Sequence, residues 1–189
     1  ATAPLIAYGI VENKGLATLP AALVIVGTAL ATVPASMLMR STGRRLGFMI
    51  GACFGAVGGG IAIVAIVRAD FWLLCVATFV YGFFAAFGQY YRFAAADTAP
   101  QEFRSKAISL VLAGGVVAAV VGTSLAIAGQ FLVPSGEFYG SYLFLIVLTL
   151  LTVLVLLFLD IPNLTPKERS AQQRPLVTIM MQPIFIVAT

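Results

Sequence analysis

The sequence predicts an all-α polytopic membrane protein, and three observations carry that prediction. Of its 189 residues 61% are hydrophobic and only 10% charged, whereas a water-soluble domain carries about 25% charged residues. Five stretches, 19–39, 46–67, 71–91, 107–133 and 138–159, contain no charge at all, and each reaches the roughly 20 apolar residues that a helix needs to cross a bilayer. The basic residues, finally, crowd into alternate connectors between these stretches. A water-soluble globular domain is excluded, because water would meet an almost uncharged exterior. A β-barrel is excluded too: the runs are continuous rather than alternating, and far longer than the roughly 10-residue strands of a barrel.

Composition narrows the function classes further. There is no histidine, and no whole span holds a carboxylate, so these helices assemble neither a metal site nor an acid/base pair. An enzyme is not expected, nor a metal or other cofactor. The net charge of +4 is read by its position between spans and not as a nucleic-acid footprint. Cys53 and Cys75 lie inside apolar runs and are expected to be inert thiols rather than a disulfide framework.

Taken in order, residues 1–11 are apolar but too short to span, and no signal peptide is visible at Ala1. They are expected to be the outer end of an earlier helix. The 19–39 helix has Pro20 in its first turn, where proline costs little, and Pro34 inside, where it should kink the helix. Thr28, Thr32 and Ser36 follow one another at four-residue spacing. Such hydroxyls either serve helix packing, through bonds to their own or a neighbouring helix, or face a watery path.

The 46–67 helix carries Gly47, Gly51, Gly55 and Gly59 in one stripe, which reads as a close packing seam or, more sharply, a dimer interface. In 71–91, Thr78, Gly82, Ala85 and Gln89 share one face, and Phe79, Phe83, Phe87 and Tyr90 another. An amide in hydrocarbon needs partners: Gln89 either bonds another helix or lines a solute path together with Tyr81, Tyr90 and Tyr91. Arg92 is expected to snorkel to the interface. The 107–133 helix repeats the small-residue device in Gly114, Ala118, Gly122 and Ala126, while 138–159, dense in Leu, Val and Ile, is expected to face lipid. The apolar stretch 175–189 is expected to begin a further helix.

Orientation follows from the basic residues. Connectors on one side hold Arg40, Arg44, Arg45, Arg92, Arg104, Lys106, Lys167, Arg169 and Arg174; the other side holds only Lys14 and Arg68. The first side is therefore expected to be cytoplasmic.

Two connectors on that side carry a resemblance. The first reads Ser36-Met37-Leu38-Met39-Arg40-Ser41-Thr42-Gly43-Arg44-Arg45, expected as a tight turn of about six residues in which Gly43 frees the backbone. It resembles the signature loop between helices 2 and 3 of major facilitator superfamily transporters. The second, 92–109, with Asp97, Pro100 and Arg104, is similar to that superfamily's connector between helices 4 and 5. The resemblance covers essentially the whole chain. It implies a partial six-helix bundle: residues 1–11 as the end of helix 1, 12–160 as helices 2 to 6, 161–174 as a cytoplasmic linker and 175–189 as the start of helix 7.

The resemblance also implies roles. Gly43, Arg44, Arg45, Asp97 and Arg104 would form a cytoplasmic gating loop, with Asp97 the partner of Arg44. Helices 1 and 4 would line a central cavity, helices 2 and 5 flank it and helices 3 and 6 lie outside, which makes Thr28, Thr32, Thr78, Tyr81, Gln89 and Tyr90 the candidate path-lining residues. The pattern departs from the family at Arg40, where an Asp is usual, at Ser36 for Gly, at Thr78, where proton-coupled members carry Arg, and at Thr123, where antiporters carry Pro. Proton antiport is accordingly not indicated. The expected function is a secondary-active carrier in a bacterial inner membrane, moving a small solute by alternating access. The lipid bilayer and a C-terminal six-helix half would be its partners, and the fragment alone would be inactive. A non-transporting assembly or signalling protein on the same scaffold is the alternative, motivated by the lost acidic residue at Arg40.

Overall fold

A computed structural model describes residues 3–11, 13–131 and 139–159, and every regular element among them is helical. In chain order these are α1 (Ala3–Ile10), α2 (Leu19–Thr42), α3 (Arg44–Val67), α4 (Phe71–Gly88), α5 (Tyr91–Thr98), α6 (Arg104–Phe131) and α7 (Tyr139–Phe158). Single 3-10 turns at Lys14–Leu16 and Gln101–Phe103 precede α2 and α6. Among the described residues five stretches are long and apolar enough to cross a membrane, the third of them running through α4 and α5 from Phe71 to Thr98. The expectations for 161–174 and 175–189 lie outside the described residues.

The connectors are shorter than the sequence predicts. α2 runs on through Arg40 to Thr42, and α3 begins at Arg44, so the expected six-residue turn is Gly43 alone. The 92–109 connector is mostly helical as well: its Ala-rich start forms α5, and α6 begins at Arg104. Helical hydrogen bonds continue past the apolar run wherever no residue breaks them, because the last turns meet water through polar side chains. Pro34 stays inside α2 without ending it.

At the opposite end, α3 passes to α4 in three residues. The amide of Asp70 donates to the Ala65 carbonyl at 2.9 Å and that of Ala69 to Ile66 at 3.0 Å, the paired bonds of a Schellman stop. That geometry needs a left-handed residue, and Ala69 supplies it at φ 49° where glycine is usual. The Asp70 carboxylate then caps α4, accepting from the amides of Trp72 at 2.9 Å and Leu73 at 3.1 Å. Ala69→Gly should therefore raise stability by up to about 1 kcal/mol, and Asp70→Ala lower it by about 1 kcal/mol. Thermal unfolding in detergent checks both signs.

Helix association in lipid depends on close packing and interhelical hydrogen bonds, since lipid tails are as apolar as leucine. α4 packs along α2 on one side and α3 on the other; α3 also packs on α7, and α6 lies against α5 and α7. Two apolar clusters tie the ends. One gathers Ile6, Ala7, Ala65, Phe71 and Leu74 near the Ala69 turn. The other gathers Ala35, Met39, Phe48, Phe87, Ala94 and Leu156 near Gly43.

The α3 glycines serve two neighbours. A methyl on Gly51 would lie 2.5 Å from the Phe87 side chain of α4, and one on Gly58 3.1 Å from the Ala77 carbonyl. On Gly55 it would meet both Phe84 and, at 2.8 Å, Thr149 of α7; on Gly59 it would meet Ile146 at 2.8 Å. Gly47 faces Met39 across the Gly43 turn. α6 is different: Gly114 and Gly122 have nothing within 4 Å of an added methyl, so among the described residues nothing packs on that stripe. Only its far end is close to α7, where the Ser141 hydroxyl donates to the Ala126 carbonyl at 2.6 Å. The outward side of α7 exposes Leu143, Leu150 and Leu154.

Candidate functional site

The basic end is organised by the Gly43 turn. Gly43 stands at φ 90° and ψ 160°, a conformation closed to side-chain-bearing residues at low cost. Its amide donates to the Met39 carbonyl at 3.0 Å, and its carbonyl accepts from the Gly47 amide at 3.1 Å. One residue thus ends α2 and starts α3. The consequence is that Arg44 and Arg45 occupy the first turn of α3, the positive end of its dipole and the unfavourable end for cations.

Both arginines find compensation on other helices. The Arg44 guanidinium is ion-paired with the Asp97 carboxylate of α5 and also donates to the Phe93 carbonyl at 3.4 Å. Arg45 donates from Nε to the Leu156 carbonyl at 2.8 Å and from Nη2 to the Leu157 carbonyl, at the end of α7. Arg104 is exposed as the first residue of α6, and Arg40, where the family has Asp, is exposed in the last turn of α2. Below the arginines, Phe48 stacks on Tyr91 with ring centroids 4.4 Å apart.

Of the candidate path residues, Thr28 and Thr32 lie on the side of α2 that meets α4. The Thr28 hydroxyl is bonded to the Val24 carbonyl at 2.7 Å and lies 3.1 Å from the Gly82 carbonyl, which it can reach only by sharing its hydrogen. The Thr32 hydroxyl donates to the Thr28 carbonyl at 2.7 Å. Here the two backbones nearly touch: a methyl on Gly82 would lie 2.9 Å from the Gly27 Cα. Tyr90 crosses the same interface, its hydroxyl donating to the Thr32 carbonyl at 2.8 Å. Thr78 is 5% exposed, its hydroxyl donating to the Cys75 carbonyl at 2.9 Å. It sits on the packed side of α4 because the small residues around it admit the neighbouring helices. The Tyr81 backbone lies against α3, its amide nitrogen 3.1 Å from where a methyl on Gly58 would stand, and its ring is 5.4 Å from that of Phe84 on the same helix.

Gln89 falls at the break between α4 and α5 and is exposed. With Arg92, Phe48, Tyr91, Leu112 and Leu156 it borders a cavity of about 730 Å³ among α3, α5, α6 and α7. Arg92 lies over the Phe93 ring, 4.9 Å from its centroid. Among the described residues no cluster of Cys, Asp or Glu could hold a metal ion.

The Gly27–Gly82 crossing escaped the sequence reading, although Gly27, Ala31 and Ala35 repeat a small residue every fourth position. That spacing, read beside Gly82, was the available signal. The bonds from Arg45 to α7 had no such signal, since backbone carbonyls are the same in every sequence.

Comparison with known proteins gives a consistent result. The family model of the Major Facilitator Superfamily matches residues 1–188. The chain is 40% identical over 179 residues to the riboflavin transporter RfnT of Brucella anthropi, covering 94% of this chain and 45% of that protein. It is 31% identical over 122 residues to the uncharacterized MFS-type transporter YddS of Bacillus subtilis, covering 64% of this chain and 28% of that protein. The chain thus spans less than half the length of either relative. No solved structure matches it.

Proposed function

This chain belongs to the Major Facilitator Superfamily, and from that premise we propose that it forms part of a secondary-active carrier for riboflavin or a chemically similar flavin. The observation that carries the substrate is the 40% identity to a riboflavin transporter across 94% of the chain. The chain is a multi-pass membrane protein, and the gathering of nine basic residues in alternate connectors supports a cytoplasmic orientation for that side by the positive-inside rule. The carrier works by alternating access, one bundle rocking against the other around a site near the bilayer midplane.

The geometry supports a division of labour within this half. The α2–α4 crossing at Gly27 and Gly82 is a tight, backbone-to-backbone contact that moves as one piece. The Arg44–Asp97 pair closes the cytoplasmic end by joining the Gly43 turn to α5, and the break at Gln89 lets α5 move relative to α4. Thr28, Thr32 and Tyr90 serve helix packing in this state. The open side of α4, with Trp72 67% and Val76 49% exposed and Phe79 and Phe83 in edge contact, presents the aromatic surface on which a flat ring system stacks.

Transport is proposed for the whole protein that contains this chain. Expressed intact in a riboflavin auxotroph, it should restore growth at micromolar riboflavin and drive accumulation of labelled riboflavin that unlabelled riboflavin suppresses. Correct insertion at normal abundance without flavin uptake or efflux would remove the substrate assignment.

A further inference from the structure

The two arginines that follow Gly43 reach different helix ends. Arg44 turns to α5, where it meets a carboxylate. Arg45 turns to α7 and meets backbone alone: Nε on the Leu156 carbonyl at 2.8 Å and Nη2 on that of Leu157. Both carbonyls belong to the last turn of α7, Tyr139–Phe158. The Val155 carbonyl, just before them, accepts from the Leu159 amide at 3.0 Å. Two adjacent donors of one planar guanidinium suit two successive carbonyls in a way that the single ammonium of lysine does not. The same charge lies at the negative end of the α7 dipole, where a cation is favoured. Beneath it, Leu156 is 5% exposed and shares an apolar cluster with Phe48, one turn along α3 from Arg45.

We propose that Arg45 is a positioning residue that keeps the end of α7 on the Gly43 turn throughout the transport cycle, while Arg44 holds α5 only in the state closed at the basic end. The assignment rests on the transport reading above for its place in a cycle, and on the two carbonyl bonds for its geometry. The contrast follows from the partners. Fixed carbonyls seated over a buried leucine leave α3 and α7 to move together. An ion pair at the surface, on a short helix next to a break in the chain, can open and close. α3 and α7 are then one body, and α5 is the piece that lets go.

The test uses the intact protein in proteoliposomes with its native thiols replaced, Cys53→Ser and Cys75→Ala among them. Single reporters, Leu156→Cys under Arg45 and Ala94→Cys under Arg44, are labelled from the basic side with a membrane-impermeant maleimide. Arg45→Gln should speed labelling of Leu156→Cys about tenfold and leave Ala94→Cys within about twofold; Arg44→Gln should do the reverse. Arg45→Lys should give an intermediate rate at Leu156→Cys. The maximal uptake rate of Arg45→Gln should fall severalfold with KM within about twofold of the parent.

Equal exposure of both reporters by Arg45→Gln would mean that the two arginines form one latch, and the proposal fails. It fails as well if a folded Arg45→Gln leaves Leu156→Cys unlabelled. Should Arg45→Gln not accumulate, Arg45→Lys is read alone, and parental labelling of Leu156→Cys overturns the proposal. Labelling needs no solute, so a parent protein that carries no flavin would remove the substrate assignment while the Arg45 contacts are still decided by the reporters.

Discussion

Gly82→Ala should destabilise this half by about 3 kcal/mol, the upper part of the range for overpacking, although it adds a single methyl to an apolar helix. The new carbon would lie 2.6 Å from the Val24 carbonyl oxygen, 2.9 Å from the Gly27 Cα and 2.9 Å from the Thr28 amide nitrogen. All three are backbone atoms, so no side chain can rotate out of the way. α2 and α4 must separate, and the Tyr90 bond to Thr32 stretches with them. Gly60→Ala is the control, because an added methyl there meets nothing within 4 Å and alanine favours helix over glycine by about 1 kcal/mol. Thermal unfolding in detergent should show a large loss for the first and none for the second. Equal stability of the two variants would show that the α2–α4 crossing is not as close as described.

The contrast between these two glycines also shows what a sequence exposes and what it hides. The five spans were legible because the absence of charge over 20 residues is a local property. Their ends were less so: residues 40–42 and 92–98 look like loop by polarity yet are helical, since nothing in them breaks the hydrogen-bond ladder. The glycine stripe of α3 was visible, but not that Gly59 faces α7, Gly51 and Gly58 face α4, and Gly55 meets both. Partner identity depends on the global arrangement. The spacing of Thr28 and Thr32 favoured packing over path-lining without naming a partner, and their hydroxyls lie on carbonyls of α2, with the Gly82 carbonyl of α4 nearby. The contact of Arg44 with Asp97 came from family resemblance, because 53 residues separate the two and no local pattern joins them.

Asp97→Asn should open the basic end without unfolding the bundle, and the reason lies in where the pair's charges sit. The side chains of Arg44 and Asp97 are 19% and 27% exposed, and pairs so placed contribute at most about 1 kcal/mol to stability. Against total unfolding that is small. Against the balance between two conformations of a carrier it is about a fivefold change in ratio, enough to shift the population toward the state open at the basic end. Labelling of an Ala94→Cys reporter should rise severalfold and the uptake rate should fall; if both stay at parental values, the latch does not exist. The pair is also set against both helix dipoles, with Arg44 in the first turn of α3 and Asp97 in the last turn of α5. Each misplacement costs about 0.3–1 kcal/mol, which would leave the proposed latch weak enough to release. The exchanged pair, Arg44→Asp with Asp97→Arg, puts each charge at its favoured helix end. It should therefore label Ala94→Cys more slowly than the parent and transport more slowly because it stays shut. Faster labelling in the exchanged pair would mean that the dipoles do not set the strength of the latch and that the Arg44 bond to Phe93 does.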